Sequence, residues 1–501
     1  LSESGRFRPA GTVRENGVPV SVNRAGFQST SDLSDVTFLS ADNGGIVQDD
    51  FNDTQYSGFR ISGLYEFGPD WRLNVSHSRQ TVESDGVFFA DPDLGTEELA
   101  IQRYEEDRLE DSFSNTAWTL EGRLGFLDVV YTGAYTDRET QQRVGYTDYL
   151  FVGQYLPYYL CDVAVTYPTY VPSSPDTPTG TCQAPNLFVT SDTQTEVFTQ
   201  ELRFSTPQEK RLRATVGGFY SDLRLAERND YSYPNNVLTL GADQMSTGFV
   251  PNYPLTNPGA PPGAVGNTSD GYFSEPGPFP ASTIFRNDIL RTDETFGIFG
   301  EVSFDVVPDL LTITGGARYY DIEVDLEGSA NGSYNNRTSP IFGPNTALPI
   351  EQRQDAQLGG TNISRQYAEN NPGGNPDVAA ADGVIFKGTV TLTPSEDTLF
   401  YATYSEGFRP GLLNRPGGAQ GPDGFVVPFV LDTDEVTNYE IGAKLDLLDR
   451  QLRLNASAFY VDVQRLQTTI FDPVISNQFF SANAALSLIH ISEPTRLGMI
   501  S

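Results

Sequence analysis

The chain has 501 residues, and its 32 Lys and Arg against 66 Asp and Glu leave a formal net charge of −34, which argues against nucleic acid and anionic lipid surfaces as partners. Its 47 Gly, 25 Tyr and 32 Phe, beside only 2 Met, favour aromatic strands joined by polar loops over helices. No stretch approaches the roughly 20 unbroken apolar residues of a membrane helix, whereas a membrane barrel stays open because its strands alternate apolar and polar side chains.

Residues 1–54 read as a loop-like segment. From there the chain runs as hairpins. "YSGFRISGLYEF" turns at Gly68, Pro69 and Asp70 into "WRLNVSHSRQTV", where Trp71, Leu73 and Val75 alternate with Arg72, Asn74 and Ser76. "AWTLEGRLGF" is expected to turn at Leu127 and Asp128 into "VVYTGAYTDR", and "TQELRFS" turns through Pro207 to Lys210 into "LRATVGGFYSD". "TFGIFGEVSF" turns at Pro308 and Asp309 into "LTITGGARYYDIEV", and "FKGTVTLT" turns through Pro394 to Asp397 into "TLFYATYSEGF". Lastly "EIGAKLDLL" turns around Leu448, Asp449 and Arg450 into "RQLRLNASAFY".

These six hairpins share one plan: strands of about ten residues, short turns, and long connections over 81–112, 139–193, 227–290, 327–382 and 410–434. Short turns at one end and long loops at the other are the asymmetry of outer-membrane barrels, with periplasmic turns and extracellular loops. Lipid enforces the closed sheet, since every backbone polar group inside it must be paired within the protein. The faces agree: Phe296, Ile298, Val302, Phe304 and Val306 can meet lipid, while Thr295, Glu301, Ser303 and Asp305 face a lumen. Tyr65, Phe67 and Trp71 flank the first turn, where an aromatic girdle belongs. The expected fold is all-β, a partial antiparallel transmembrane β-barrel over residues 55–484. A soluble sandwich with one wet face is the alternative.

Chemistry finds few carriers. His77 falls on the apolar parity with Trp71 and Val75, and no GK[ST], HExxH or CxxC occurs, so no catalytic residue, cofactor or metal set is expected. In "DPDLGTEE", Asp91, Asp93, Glu97 and Glu98 have spacings suited to Ca²⁺, but Gln102 stands where an EF-hand needs its bidentate Glu. The acidic stretches 31–53 and 97–111 read as solvated loops bridged through divalent cations to lipopolysaccharide, or as a funnel for a cationic or neutral ligand. Cys161 and Cys182 share one Pro-rich loop and are expected to form a disulfide in an oxidising compartment.

"VTNYEIGAKLDLLDRQLRLNASAFYVDVQRLQ" (436–467), "LFYATYSEGFRPGLLNRP" (399–416) and "FTQELRFSTPQEKRLRATVGGFYSDL" (198–223) resemble the barrel of TonB-dependent outer-membrane receptors, over roughly residues 50–484. The resemblance implies a barrel of about 22 strands closed by an N-terminal plug. It further implies uptake of a scarce nutrient such as a ferric siderophore, cobalamin or a glycan, powered through TonB with ExbB and ExbD by strand addition at an N-terminal box. About twelve strands, no plug and no TonB box are visible, so a fragment is expected. A porin-like diffusion channel and a secreted β-rich binding or adhesive protein are the competing functions.

Residues 485–501 depart from the pattern. They hold one of two histidines, His490, and one of two methionines, Met499, and "LSLIHISEPTR" resembles the translation of a transposase-type sequencing adapter. This tail is expected to be non-native and to add no strand.

Overall fold

The computed structural model describes residues 14–15, 18–19, 36–38, 44–87, 100–101, 103, 105–146, 180–182, 187–232, 283–332, 360–371, 373–470 and 479–484. Twelve long strands dominate: β1 (Thr54–Phe67), β2 (Trp71–Ser84), β3 (Arg108–Leu124), β4 (Leu127–Gly145), β5 (Phe188–Ser205) and β6 (Leu212–Ser232). They continue as β7 (Thr283–Val307), β8 (Leu311–Gly332), β9 (Ala379–Ser395), β10 (Thr398–Arg409), β11 (Asp434–Leu447) and β12 (Leu452–Gln464). They form one antiparallel sheet in chain order, each strand beside its sequence neighbours, as a meander of hairpins requires. Among the described residues β1 and β12 end this order.

Every strand has a turn end and a loop end. At the turn ends the chain reverses tightly through left-handed backbone: Gly68 (φ 72°), Gly125 (φ 68°) and Asp309 (φ 61°). The last turn uses three consecutive non-glycine residues there, Leu448 (φ 54°), Asp449 (φ 54°) and Arg450 (φ 67°), a conformation that costs about 1–2 kcal/mol per L-residue. The second turn lies two residues earlier than expected. Gly125 takes the positive φ, so Leu127 and Asp128 already belong to β4, opposite Leu124 and Arg123.

The strands also run further than about ten residues. β4 continues to Gly145, β6 to Ser232 and β8 to Gly332, while β7 begins at Thr283 and β9 at Ala379, within stretches expected to be loops. Here alternation against lipid gives way to packing and side-chain hydrogen bonds.

The chain divides into two compact units. The first comprises Leu1–Leu202, Phe219–Thr295 and Asp325–Val378. It buries Leu187, Val189, Ala226, Leu290, Leu326, Ala330, Ile363 and Tyr367. In it a short strand, Gly360–Asn362, pairs with Ser329–Asn331 and leads into a helical turn, Ile363–Gln366, whose Ser364 hydroxyl accepts the Gly328 N–H at 2.7 Å. Gly328 has φ 105°, and a Cβ there would lie 2.1 Å from the Asp288 carbonyl oxygen, so only glycine fits.

The second unit comprises Arg203–Gly218, Phe296–Val324 and Ala379–Ser501. Its segment after β10, expected to be an open loop, is folded back on itself. Asn414 donates from Nδ2 to the carbonyls of Pro428 (2.8 Å) and Ser481 (2.9 Å), and Leu413, Val427, Leu431 and Phe480 are buried. Beyond β12, Gln467–Ile470 pairs with Phe480–Asn483 as a separate hairpin. Residues 485–501 lie outside the described residues.

Candidate functional site

Period two sorts each strand onto two surfaces, and register shows that the sorting carries across strands. One surface is apolar and exposed. In the second unit it presents Phe296, Ile298, Val302, Phe304 and Val306 on β7, Ile313 on β8, Val384, Phe386 and Val390 on β9, and Phe400 on β10. Ile313 stands opposite Val390, and Ala317 opposite Phe386. In water such a surface would drive aggregation, whereas in hydrocarbon it is the stable arrangement. In the first unit Phe67 stacks on Trp71 (centroids 6.4 Å apart) beside Tyr65, at the turn end where a girdle is expected.

Two polar side chains at this parity are paired. His77 Nδ1 lies 2.9 Å from the Thr116 hydroxyl, with the ring 5.8 Å from Phe59, and the Tyr131 hydroxyl donates to Gln200 Oε1 at 2.9 Å. Satisfaction between neighbouring strands is what lipid demands of a polar side chain. His77 is therefore a paired surface residue, in keeping with its apolar parity.

The opposite surface is a charge-balanced polar lining. Arg213 forks onto Asp305 at 2.6 and 2.7 Å, and Thr312 donates to the same carboxylate at 2.8 Å. Ser303 meets Thr314 at 2.8 Å, Thr389 meets Thr403 at 3.1 Å, Lys387 Nζ donates to Glu301 at 3.2 Å, and Tyr401 donates to Glu440. Such a lining wets an interior and offers hydrogen bonds to a hydrophilic solute.

At the loop ends of β2, β3 and β4 the first unit forms a half-open pocket of about 480 Å³. Gly45, Ile46, Val47, Gln48 and Phe51 form one wall, and Glu83, Asp85, Arg103, Glu105, Glu106, Asp107, Arg108 and Arg143 supply its charge. Arg103 Nε reaches Asp107 at 2.9 Å, and the other oxygen of Asp107 accepts the Gly145 N–H at 2.5 Å. Arg143 donates to Glu105 at 2.6 Å while its guanidinium lies 4.1 Å over the Phe188 ring. Asp107 and Arg103 belong to a stretch expected to be solvated, yet the Asp107 side chain is 1% exposed. The i,i+4 Arg103/Asp107 spacing was the available signal, and it is indistinguishable in sequence from surface charge.

Beside the cavity Tyr146 packs edge-on to Tyr231 (5.4 Å), which meets Phe285 likewise (5.4 Å). Burial pushes the Tyr146 hydroxyl up from its ordinary pKa, against a lowering hydrogen bond from Tyr231.

Of the sequence candidates, Cys161 lies outside the described residues, and of Cys182 only the backbone is described, in Gly180–Cys182 parallel to Val36–Phe38. Asp91, Asp93, Glu97 and Glu98 also lie outside them. Among the described residues no group of three or more His, Cys, Asp or Glu is arranged to hold a metal ion.

An antiparallel meander, apolar and exposed on one surface and polar and paired on the other, is the wall of an outer-membrane β-barrel. Residues 136–487 match the family described as TonB dependent receptor-like, beta-barrel, and the chain belongs to that family of outer-membrane proteins. The probable TonB-dependent siderophore receptor PiuA of Acinetobacter baumannii is 30% identical over 93 residues, which are 19% of this chain and 12% of that protein. The ferric yersiniabactin uptake receptor FyuA from Yersinia pestis superposes with a TM-score of 0.51 at 12% identity, over 87% of this chain and 49% of that one. The siderophore receptor PiuA from Acinetobacter baumannii gives a TM-score of 0.46 at 14% identity, over 87% of this chain and 53% of that one. The chain thus spans about half the length of these solved receptors, and at such identities the likeness to FyuA is one of fold.

Proposed function

We propose that this chain forms part of the wall of a receptor for energy-coupled uptake of a scarce nutrient, with ferric siderophore ahead of cobalamin or a glycan. Family membership carries this reading, and the siderophore preference rests on what the named relatives bind. The partners that follow are TonB with ExbB and ExbD, a small nutrient ligand held at the loop ends, and outer-membrane lipid with lipopolysaccharide. The chain's own part is passive: the polar lining wets the interior, the apolar surface seats it in lipid, and the loop-end cavity offers charged hydrogen-bonding groups to a polar ligand. No catalytic role is proposed.

Uptake of radioactive iron as catecholate, hydroxamate and citrate chelates, into a receptor-null strain carrying the full-length receptor that contains this wall, tests the proposal. Uptake of at least one chelate that stops when TonB is deleted is the expected result. Uptake unchanged without TonB favours the diffusion channel, and no uptake of any chelate removes the siderophore assignment.

A further inference from the structure

We propose that the half-open pocket at the loop ends of β2, β3 and β4 receives a protonated alkylamine. The chelates taken up are then hydroxamate types bearing such an arm, neutral or cationic overall, and not polyanionic catecholates. The inference rests on the uptake reading and names the ligand class of the same site.

The pocket is rich in acceptors although three guanidiniums line it, because each guanidinium is already engaged. Arg103 donates from Nη1 to the Gly145 carbonyl at 3.3 Å, with its Nε 2.9 Å from Asp107. Arg143 donates to Glu105 at 2.6 Å and lies over the Phe188 ring, and the largely exposed Arg108 lies 3.6 Å from Glu110. Against these three cations stand five lining carboxylates. The side chains of Glu83, Asp85 and Glu106 have no hydrogen bond or ion pair among the described residues.

Asp107 independently marks the place for a donor. Its side chain is 1% exposed, and one oxygen accepts the Gly145 N–H at 2.5 Å. The other, although 2.9 Å from Arg103 Nε, lies off the N–H direction and accepts no hydrogen bond. A buried carboxylate oxygen short of a donor is costly, and an ammonium brings several donors together with the opposite charge.

The facing wall suits an alkyl stem. Ile46, Val47 and Phe51, from the segment before β1, line the pocket with Leu109. This wall is tied down: the Asp53 carbonyl accepts the Asp85 N–H at 3.1 Å, and Phe51 packs on Gly86, where a Cβ would lie 2.8 Å from the ring. An alkylammonium therefore lays its chain on one wall and its charge against the other.

The charge of the surrounding sequence has the same sign. Residues 25–54, 88–102 and 147–186, which flank the lining segments along the chain, contain no Lys or Arg. Hydroxamates, each a monoanion, neutralise ferric iron, whereas catecholates, each a dianion, leave a polyanion that such a field repels.

The full-length receptor, purified in detergent, is titrated with two ferric trihydroxamates that differ in one arm, a free pentylamine or its N-acetyl form, and with a ferric tricatecholate. The amine form is expected to bind about tenfold more tightly than the acetylated form, an advantage that shrinks with salt. In E83Q/D85N/E106Q, which alters exposed side chains and breaks no pairing, the advantage should fall to within about twofold. Equal binding of the two hydroxamates overturns the proposal, as does an advantage unchanged in the variant, tighter binding of the tricatecholate, or binding of none of the three. TonB-dependent uptake of the tricatecholate alone would leave the uptake reading standing and remove this one. Uptake of the amine chelate that persists without TonB would remove the energy-coupled reading and leave this binding site in place.

Discussion

β7 contains both a protein interior turned inside out and an ordinary one. Near its turn end Phe296, Ile298 and Val302 are exposed at 45, 51 and 49%, while toward its loop end Arg286 and Asp288 are exposed at 2 and 0%. Arg286 forks onto Asp230 at 2.6 and 2.7 Å. The contrast follows from solvent. Against hydrocarbon, apolar side chains have no reason to hide and polar atoms must pair, whereas at the loop ends water returns and the chain packs a core with its own buried ion pair.

The comparison is tested most severely at that ion pair. Arg286→Ala leaves Asp230 buried without its partner and should cost about 3–5 kcal/mol, seen as lost hydrogen-exchange protection along the loop ends of β6–β8. A cost below 1 kcal/mol, as for surface pairs, would mean that this region is wet. In the apolar band, Val302→Arg should impair membrane insertion by about 2–4 kcal/mol, while Ser303→Arg, one residue on and at the other parity, should be tolerated. Equal penalties at the two positions would erase the distinction between surfaces.

We predict that Cys161 and Cys182 extend the contrast to redox chemistry by forming a disulfide, as an oxidising compartment allows. A bond closing some twenty residues should contribute about 3 kcal/mol, and mass spectrometry of protein from intact outer membranes should find no free thiol. The smallest effect falls at the last turn. Asp449→Gly should stabilise by about 1 kcal/mol in denaturant titration, because glycine adopts φ 54° without the side-chain penalty. The neighbouring Arg450 should tolerate this change, since its side chain is anchored outside the altered residue by the 2.7 Å hydrogen bond from Nε to Asp397.

What could be read from the residues follows the same division. The six hairpins were legible because lipid enforces a strict alternation, as in "TFGIFGEVSF", and because Gly68, Asp309 and Leu448–Arg450 punctuate it. The loop ends were not. The outward half of β8 buries Tyr320, Ile322, Val324 and Leu326 at the parity that an aqueous lining would make polar, and the compact fold of the segment after β10 hangs on Asn414, whose partners lie 14 and 67 residues away. Arg103 and Asp107 looked like solvated charge because sequence carries no record of burial. The turn near Gly125 was misplaced because Asp128 is a turn-favouring residue that here opens a strand, and only the positive φ of Gly125 places the reversal.

The central claim is that successive residues of β7 meet different solvents. Single cysteines placed in turn at positions 296–306 of a C161S/C182S background, each carrying a nitroxide, measure this by collision with membrane-soluble oxygen and with a water-soluble nickel chelate. Oxygen access should peak at Phe296, Ile298, Val302, Phe304 and Val306, and nickel access at Glu301, Ser303 and Asp305, a period of two sustained along the strand. Access that ignores parity, or nickel reaching both sets equally, would contradict the account.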